Sequence, residues 1–378
     1  MGGQRAAAGR KALGQSPRRG SQTKKRVYWH TLFGCIEVTE QLYRLSHSRR
    51  QLRPFSNRAG VKCRGCSRPL QRALVDFASD VSFNRATEKL VEHYGVELSS
   101  STVRQITQHH GASLLEQQQQ LVDHLGPEAG LEQLMTQTDG SMVPLVENSL
   151  EASDKRKNKS LLWGEARLSL ARDVNSVTPR LAATMEEAQQ AGAVWLDCVK
   201  RAGGGAKTKI HCVGDGAPWI IEQARQRFKD QGSYLIDFYH VSEYLAAAGT
   251  LIAGQKAKGW LEKQQRRLKD NLVGVIIEEL LPHIERGERK EEEAPVRKCH
   301  RYLTKHREQM NYKGALQAGL PIGSGEIEGG HRWVVQERLK KAGAWWKREN
   351  AKKMLALRIN RANGEWRSYW QQQRQAAS

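Results

Sequence analysis

Bulky and polar residues alternate from Val27 to Tyr43 around Gly34, which is the period of a half-buried strand and predicts a small two-stranded hairpin. Between residues 81 and 112 the period becomes helical. Phe83, Ala86, Leu90 and Val91 share one face, Gly95 breaks the run, and Ser99 to Ser101 can cap a second helix carrying Val103 and Ile106. Past residue 130 strands alternate with helices. Strand patterns cover 133–147, 161–174 and 179–185, a helix covers 185–203, a strand 207–215, a helix 217–229 and a strand 233–241. Residues 241–320 then read as helical and highly charged, and the helical pattern resumes at Gly325. This order predicts an α/β layered domain preceded by a small helical region.

The chain has 378 residues, so about 150 residues per domain allows two or three domains. The organisation predicted is a disordered basic arm (1–26), an N-terminal region (27–127), a first α/β part (128–240), a helical insertion (241–320) and a C-terminal helical part (321–378). The arm has no acidic residue, and none precedes Glu37. Overall, 61 Lys plus Arg face 40 Asp plus Glu, a formal charge of +21. Such an excess repels itself unless an anion is near. Nucleic acid is the partner it points to, and most small-molecule enzymes are disfavoured. No run of about 18 apolar residues predicts a membrane span. Six scattered cysteines argue against a disulfide framework and for a reducing, cytoplasmic compartment.

Several residues are candidates for chemistry. Cys63-Arg-Gly-Cys66 is half of a zinc site that Cys35, His30 or His47 would complete; two lone thiols near a turn is the alternative. The pair of helices at 81–112 has the form of a helix-turn-helix, whose second helix would offer Arg104, Gln105 and Gln108 to phosphates or base edges; an ordinary helical hairpin fits as well. Asp139 and Asp215 stand where strands are expected to end, each followed by Gly. Carboxylates at strand ends can converge, and hard oxygen ligands select Mg2+ or Mn2+, two of which serve phosphoryl transfer. A hairpin turn at Asp139 and a helix cap at Asp215 are the alternatives. Gly323-Ser-Gly-Glu-Ile-Glu-Gly-Gly leads into a helix with Glu326 and Glu328 in its first turn. Beyond it stand Arg332, Arg338, Lys340 and Lys341, interleaved with Trp333, Trp345 and Trp346, a mixture suited to phosphates and unstacked bases. Trp333 is expected in the core, and Arg338 and Lys340 nearest a bound strand.

Four strings in order, TDG, GDGAPWI, DFYH and GSGEIEGGHRWVVQERLKKAGAWW, resemble bacterial insertion-sequence transposases of the ISKra type, relatives of the Mutator-like group. The resemblance spans roughly residues 27 to 360. It implies a ribonuclease-H-like catalytic domain interrupted by an all-helical insertion. It also implies a DDE site of Asp139, Asp215 and Glu328 around two divalent metals. Glu328 matches the family's Gly-Ser-Gly-x-Ile-Glu string, with Glu326 as fallback. The 113 positions between Asp215 and Glu328, against 76 between the aspartates, leave room for the insertion. Asp237-Phe-Tyr-His240 is similar to the family's Asp-x-x-His signature, which would let His240 position a phosphate or protonate a leaving oxygen. The implied activity is cleavage at terminal inverted repeats and strand transfer into double-stranded target DNA by a nucleoid-associated homodimer. A DNA-binding repressor without catalysis and another ribonuclease-H-like nuclease are the alternatives.

Overall fold

The computed structural model describes residues 22–44, 51–59, 61, 65–118, 120–148, 159–287 and 290–375. The basic arm up to residue 21, His47 and Cys63 lie outside them. The chain forms two units, Met1–Gln119 with Glu337–Ser378, and Gln120–Gln336.

The first unit begins with an antiparallel sheet of β1 (Gln22–Thr31), β2 (Gly34–Arg44) and β3 (Gln51–Leu52). Gly34 takes φ +109° at the β1–β2 turn, where the Thr31 hydroxyl donates to its carbonyl at 2.9 Å. The register running back from this turn pairs Lys24, Lys25 and Arg26 with Gln41, Glu40 and Thr39. The end of the expected arm is therefore strand. Buried Glu40 accepts from the Ser56 N–H at 2.8 Å and the Arg53 Nε at 3.1 Å, tying the sheet to α1 (Pro54–Arg58).

Three capped helices follow: α2 (Arg68–Asp80), α3 (Phe83–Tyr94) and α4 (Ser100–Gln118). Ser67, Ser82 and Ser99 accept N–H bonds three residues on, each cap worth about 1 kcal/mol. Gly95 ends α3 in the left-handed conformation, as its position after the apolar run predicts.

The second unit is built on a five-stranded sheet. Its strands are β4 (Gln133–Asn148), β5 (Lys159–Asp173), β6 (Arg180–Thr184), β7 (Lys209–Gly214) and β8 (Gly232–Ile236), in the order β6-β5-β4-β7-β8. β4, β5 and β6 run antiparallel in succession, while β7 and β8 run parallel to β4. The helices α5 (Ala188–Arg201) and α6 (Pro218–Phe228) cover one face, where Trp195 and Phe228 pack among Leu134, Ile210 and Cys212. The buried Trp195 indole donates to the Thr136 hydroxyl at 2.6 Å.

After β8 the chain is helical through α7 (Phe238–Ala253), α8 (Ala257–Lys269), α9 (Val273–Leu280), α10 (Pro295–Lys305) and α11 (Tyr312–Gln317). These helices share a core with Val213, Leu235 and Ile236 of the sheet. The expected helical segment starts three residues early, because the strand predicted over 233–241 stops at Ile236. Asp237 turns it into α7 by accepting from the N–H groups of Tyr239 (2.6 Å) and His240 (2.9 Å). α12 (Gly325–Gly330) and a π-helical stretch, His331–Gln336, close this unit. No helix among the described residues is long and apolar enough to cross a membrane.

The last residues return to the first unit instead of forming one block with Glu328. α13 (Arg348–Ala362) lies against α4, so close that a Cβ on Gly111 would stand 2.6 Å from the Lys353 carbonyl oxygen. α14 (Trp366–Gln375) supplies Tyr369, whose hydroxyl is 2.7 Å from His110 Nδ1; Gln71 Oε1 of α2 is 2.9 Å from its Nε2. Burial drives the His110 imidazole down to about 3, with His109 adding to the shift.

The folded unit thus keeps His110 neutral where an unfolded chain would protonate it, near pH 6.5. Stability carried by this histidine is present above about pH 6.5 and drains away as pH falls toward about 3. Thermal unfolding followed by circular dichroism should show that decline, and His110→Asn should flatten it. An unchanged slope in the variant would contradict the assignment.

Candidate functional site

Asp139 does not end a strand. It sits in the middle of β4, so the hairpin-turn alternative fails, and what ends there is the neighbour. The parallel register pairs Gln133 with Lys209 through to Gln137 with Val213. Continued two positions, it sets Asp215, the first residue after β7, beside Asp139. Positions two apart on a strand share a face, so Met135, Gln137 and Asp139 face away from Thr136 and Trp195. The site therefore forms on the sheet face opposite α5.

Two hydrogen bonds from one side chain bring in the third acidic segment. Gln137 is fully buried; its amide nitrogen donates to the Gly323 carbonyl at 3.2 Å, and its oxygen accepts from the Ile327 N–H at 2.9 Å. His211, beside Met135 in the register, has Nε2 2.8 Å from the Pro321 carbonyl oxygen. Asp237 accepts from the Ser324 N–H at 2.5 Å and from the Ser324 hydroxyl, while Phe238 N–H donates to the Ile322 carbonyl. The Gly-Ser-Gly segment is thus fastened at 321, 322, 323, 324 and 327. Asp237 of the Asp-Phe-Tyr-His string serves as cap and anchor, a role the strand prediction missed.

The two glutamates of α12 differ in what holds them. Glu326 is gripped by Arg172 of β5, with Nε to Oε2 at 2.9 Å and Nη2 to Oε1 at 2.5 Å. Glu328 is exposed, and its charge acts on Asp139. Burial is the main cause that lifts the Asp139 carboxyl to about 6; Asp215, Glu165 and Glu328 add repulsion, while the Gly140 N–H, donating at 2.7 Å, works against it. Gly140 leaves the space that Glu165 fills, since a Cβ there would collide with the Glu165 carboxylate. His331, buried at the start of the π-helical stretch, places Nε2 3.6 Å from Asp139 Oδ2. Among the described residues, no three His, Cys, Asp or Glu side chains already surround one point as a metal shell would. Asp215 accepts from the Ala217 N–H at 2.9 Å in the turn before α6; Ala217 is the cap residue of that helix and no side chain caps it, so the helix-cap alternative does not hold.

On its other side, Asp215 borders a pocket of about 270 Å³ lined also by His240, Tyr244, Lys298, Arg301 and Lys305. His240 lies in the first turn of α7, not at a strand end. Its ring is edge-on to Tyr244 and Tyr302, and Nδ1 is 3.7 Å from Glu243.

The remaining candidates belong to the first unit, except Arg332 and Trp333. Arg104 and Gln105 are exposed on α4 and Gln108 is half-buried. Arg332 is exposed and Trp333 is 43% exposed, against the expectation of a core tryptophan. Arg338 and Trp346 are corrected as DNA contacts, because both are enclosed. The Arg338 guanidinium lies 5.0 Å from the Phe83 ring centre and 4.8 Å from that of Trp346, and its Nε donates to the Ala78 carbonyl. Burial, with Arg358 beside it, lowers the Arg338 guanidinium to about 10. Lys340 is exposed, and exposed Lys341 donates to the Asp80 carbonyl at 2.9 Å. Cys35 is exposed and Cys66 buried.

The chain belongs to the uncharacterised protein family UPF0236, whose pattern matches residues 21–375. Two UPF0236 proteins of Caldanaerobacter subterraneus subsp. tengcongensis are each 26% identical to it over 159 residues, 41% of this chain and 31% and 30% of theirs. A third from the same organism is 25% identical over 158 residues, and its name joins eleven locus labels. The aligned stretch spans about a third of these relatives' length.

The crowding of acids predicts a titration. In metal-free protein the Asp139 carboxyl, followed by 13C NMR, should titrate near pH 6, and its midpoint should fall in Asp215→Asn and in Glu328→Gln. Midpoints that stay put would show that the carboxylates do not share a field.

Proposed function

We propose that this member of UPF0236 is a metal-dependent DNA transposase of the DDE type, with Asp139, Asp215 and Glu328 as its acidic triad. The observation that carries the reading is the β4–β7 register, which carries Asp139 and Asp215 to one face, joined to the burial of Asp139 that, with added repulsion from Asp215 and Glu328, lifts its carboxyl to about 6. Repelling carboxylates are what a hard divalent cation relieves. The donor set therefore fits Mg2+ or Mn2+, held by these three residues. When bound, two such ions activate an attacking oxygen and stabilise a leaving one.

The chain's own part is positional. Asp139 and Asp215 present their oxygens from neighbouring strands, and Gln137 holds the helix that delivers Glu328. Arg172 occupies Glu326, so the fallback acid is engaged elsewhere. His331 stands 3.6 Å from the second Asp139 oxygen, and His240 stands in the pocket wall next to Asp215.

Three further features support the reading. The strand order 3-2-1-4-5, with the first three strands antiparallel and the last two parallel to the first, is that of ribonuclease-H-like domains; helices then fill the interval where the insertion is expected. The charge of +21 suits a polyanion. The eleven labels joined in one relative's name fit a family whose genes occur repeatedly in one organism, as those of a mobile element would. In the first unit α3 and α4 serve as a helix-turn-helix with Arg104, Gln105 and Gln108 toward DNA, and two copies of the chain bring two element ends together.

The test is a supercoiled plasmid carrying the gene with its natural flanks. Wild-type protein should cut at the element ends with Mg2+ or Mn2+. Asp139→Asn, Asp215→Asn and Glu328→Gln should each lose about 1,000-fold in cleavage rate while binding the same DNA nearly as well. Undiminished cleavage by all three variants would refute the reading.

A further inference from the structure

The helix α10 is amphipathic in an unusual sense. Val296, Cys299 and Leu303 are buried in the helical core, whereas Lys298, Arg301, Tyr302 and Lys305 follow one another at helical spacing along the wall of the pocket beside Asp215. The helix is fixed to the catalytic strand end, since the Tyr302 hydroxyl donates to the Asp215 carbonyl at 2.6 Å. Gly216 makes that approach possible. It has φ +83°, and a Cβ there would stand 2.8 Å from Ile236 Cδ1 and 3.1 Å from the Tyr302 hydroxyl.

Tyr302 also stacks on Tyr244 with ring centres 4.3 Å apart, and the Lys298 ammonium lies 5.3 Å from the Tyr244 ring centre. Three cations and one carboxylate thus line the same volume of about 270 Å³. The rim carboxylate, Glu243, is 79% exposed and points to His240. A face that was only solvated would have no reason to gather three cations in one concavity, and the pocket lies below the range of drug-sized apolar sites. What it suits is a compact anion on a longer strand.

We propose that Lys298, Arg301 and Lys305 bind a backbone phosphate of the DNA strand beside the bond cut at Asp215, so that the helical segment after β8 grips the substrate next to the triad. This rests on the DNA-cleavage reading above and names the part of the substrate that the pocket takes. A free nucleotide or inorganic phosphate offers the same chemistry, and the experiment separates them.

Binding of a fluorescent duplex from the gene's own flank would be followed by anisotropy across a salt series. The proteins compared are the full wild-type chain, K298A/R301A/K305A, and K256A/K258A/R266A, which removes three exposed cations from the neighbouring stretch. The pocket triple should bind about tenfold or more weaker, with a log–log salt slope smaller by about 1, the release expected when one backbone phosphate is no longer neutralised. The control triple should stay within about twofold of wild type. Circular dichroism verifies that both are folded, and Arg301→Lys should keep most of the affinity as a single variant.

Equal losses in the two triples would overturn the proposal, because the effect would then be bulk charge. Wild-type affinity in the pocket triple would overturn it too, even with cleavage by wild type intact. Binding of inorganic phosphate by the pocket without any effect on the duplex would assign the pocket to a free anion and overturn it. If the pocket triple alone loses duplex affinity while wild type never cuts DNA with Mg2+ or Mn2+, the grip stands and the catalytic reading falls.

Discussion

The arrangement depends on a single constraint, the parallel pairing of β4 with β7. Five register pairs, Gln133 with Lys209 through Gln137 with Val213, carry the next same-face positions to Asp139 and Asp215. Side-chain direction alternates along a strand, so a slip of one residue would turn one of the two aspartates to the face covered by Trp195. The sheet thereby holds two carboxylates close, with burial and mutual repulsion lifting Asp139 to about 6.

The third acid is held through the backbone of its segment as well as by the buried Ile327. A glycine-rich segment has little side-chain surface with which to fix itself, and the fold answers with polar anchors at nearly every residue. Gln137 binds it from β4, His211 from β7, and Asp237 from the end of β8. Each anchor lies on or just after a strand whose position the sheet already sets. Asp237 links two tasks, since the carboxylate that starts α7 also receives Ser324. Glu326 and Glu328 differ by the same geometry, because Arg172 on β5 reaches the first and leaves the second exposed, its charge acting on Asp139.

Much of the second unit was legible in the sequence because its elements have clean periods. The strands and helices from Gln133 to Phe228 fall where alternation and helical spacing put them, and Gly95 and the Ser99 to Ser101 cap mark the end of α3 and the start of α4. What was hidden depends on partners far along the chain. Asp139 looks like a strand end only if the long β4 is taken to stop with its parallel neighbour. Asp237 sits in a run of strand-forming residues, and its capping bonds override that propensity. Arg338 and Trp346 read as a DNA-facing pair, yet Phe83, some 250 positions earlier, completes the stack that encloses them. Trp333 errs the other way, since nothing in its own helical spacing distinguishes an exposed ring from a buried one. The return of α13 and α14 to the first unit is likewise set by long-range contacts such as that of Gly111 with Lys353.

The central claim is that Asp139, Asp215 and Glu328 form one cation site. Electron paramagnetic resonance of Mn2+ added to the DNA-free protein tests it without requiring a substrate. Wild type should bind two Mn2+ ions, and each of the three amide variants should lose an ion or bind about tenfold more weakly. Mn2+ binding unchanged in all three would contradict the account.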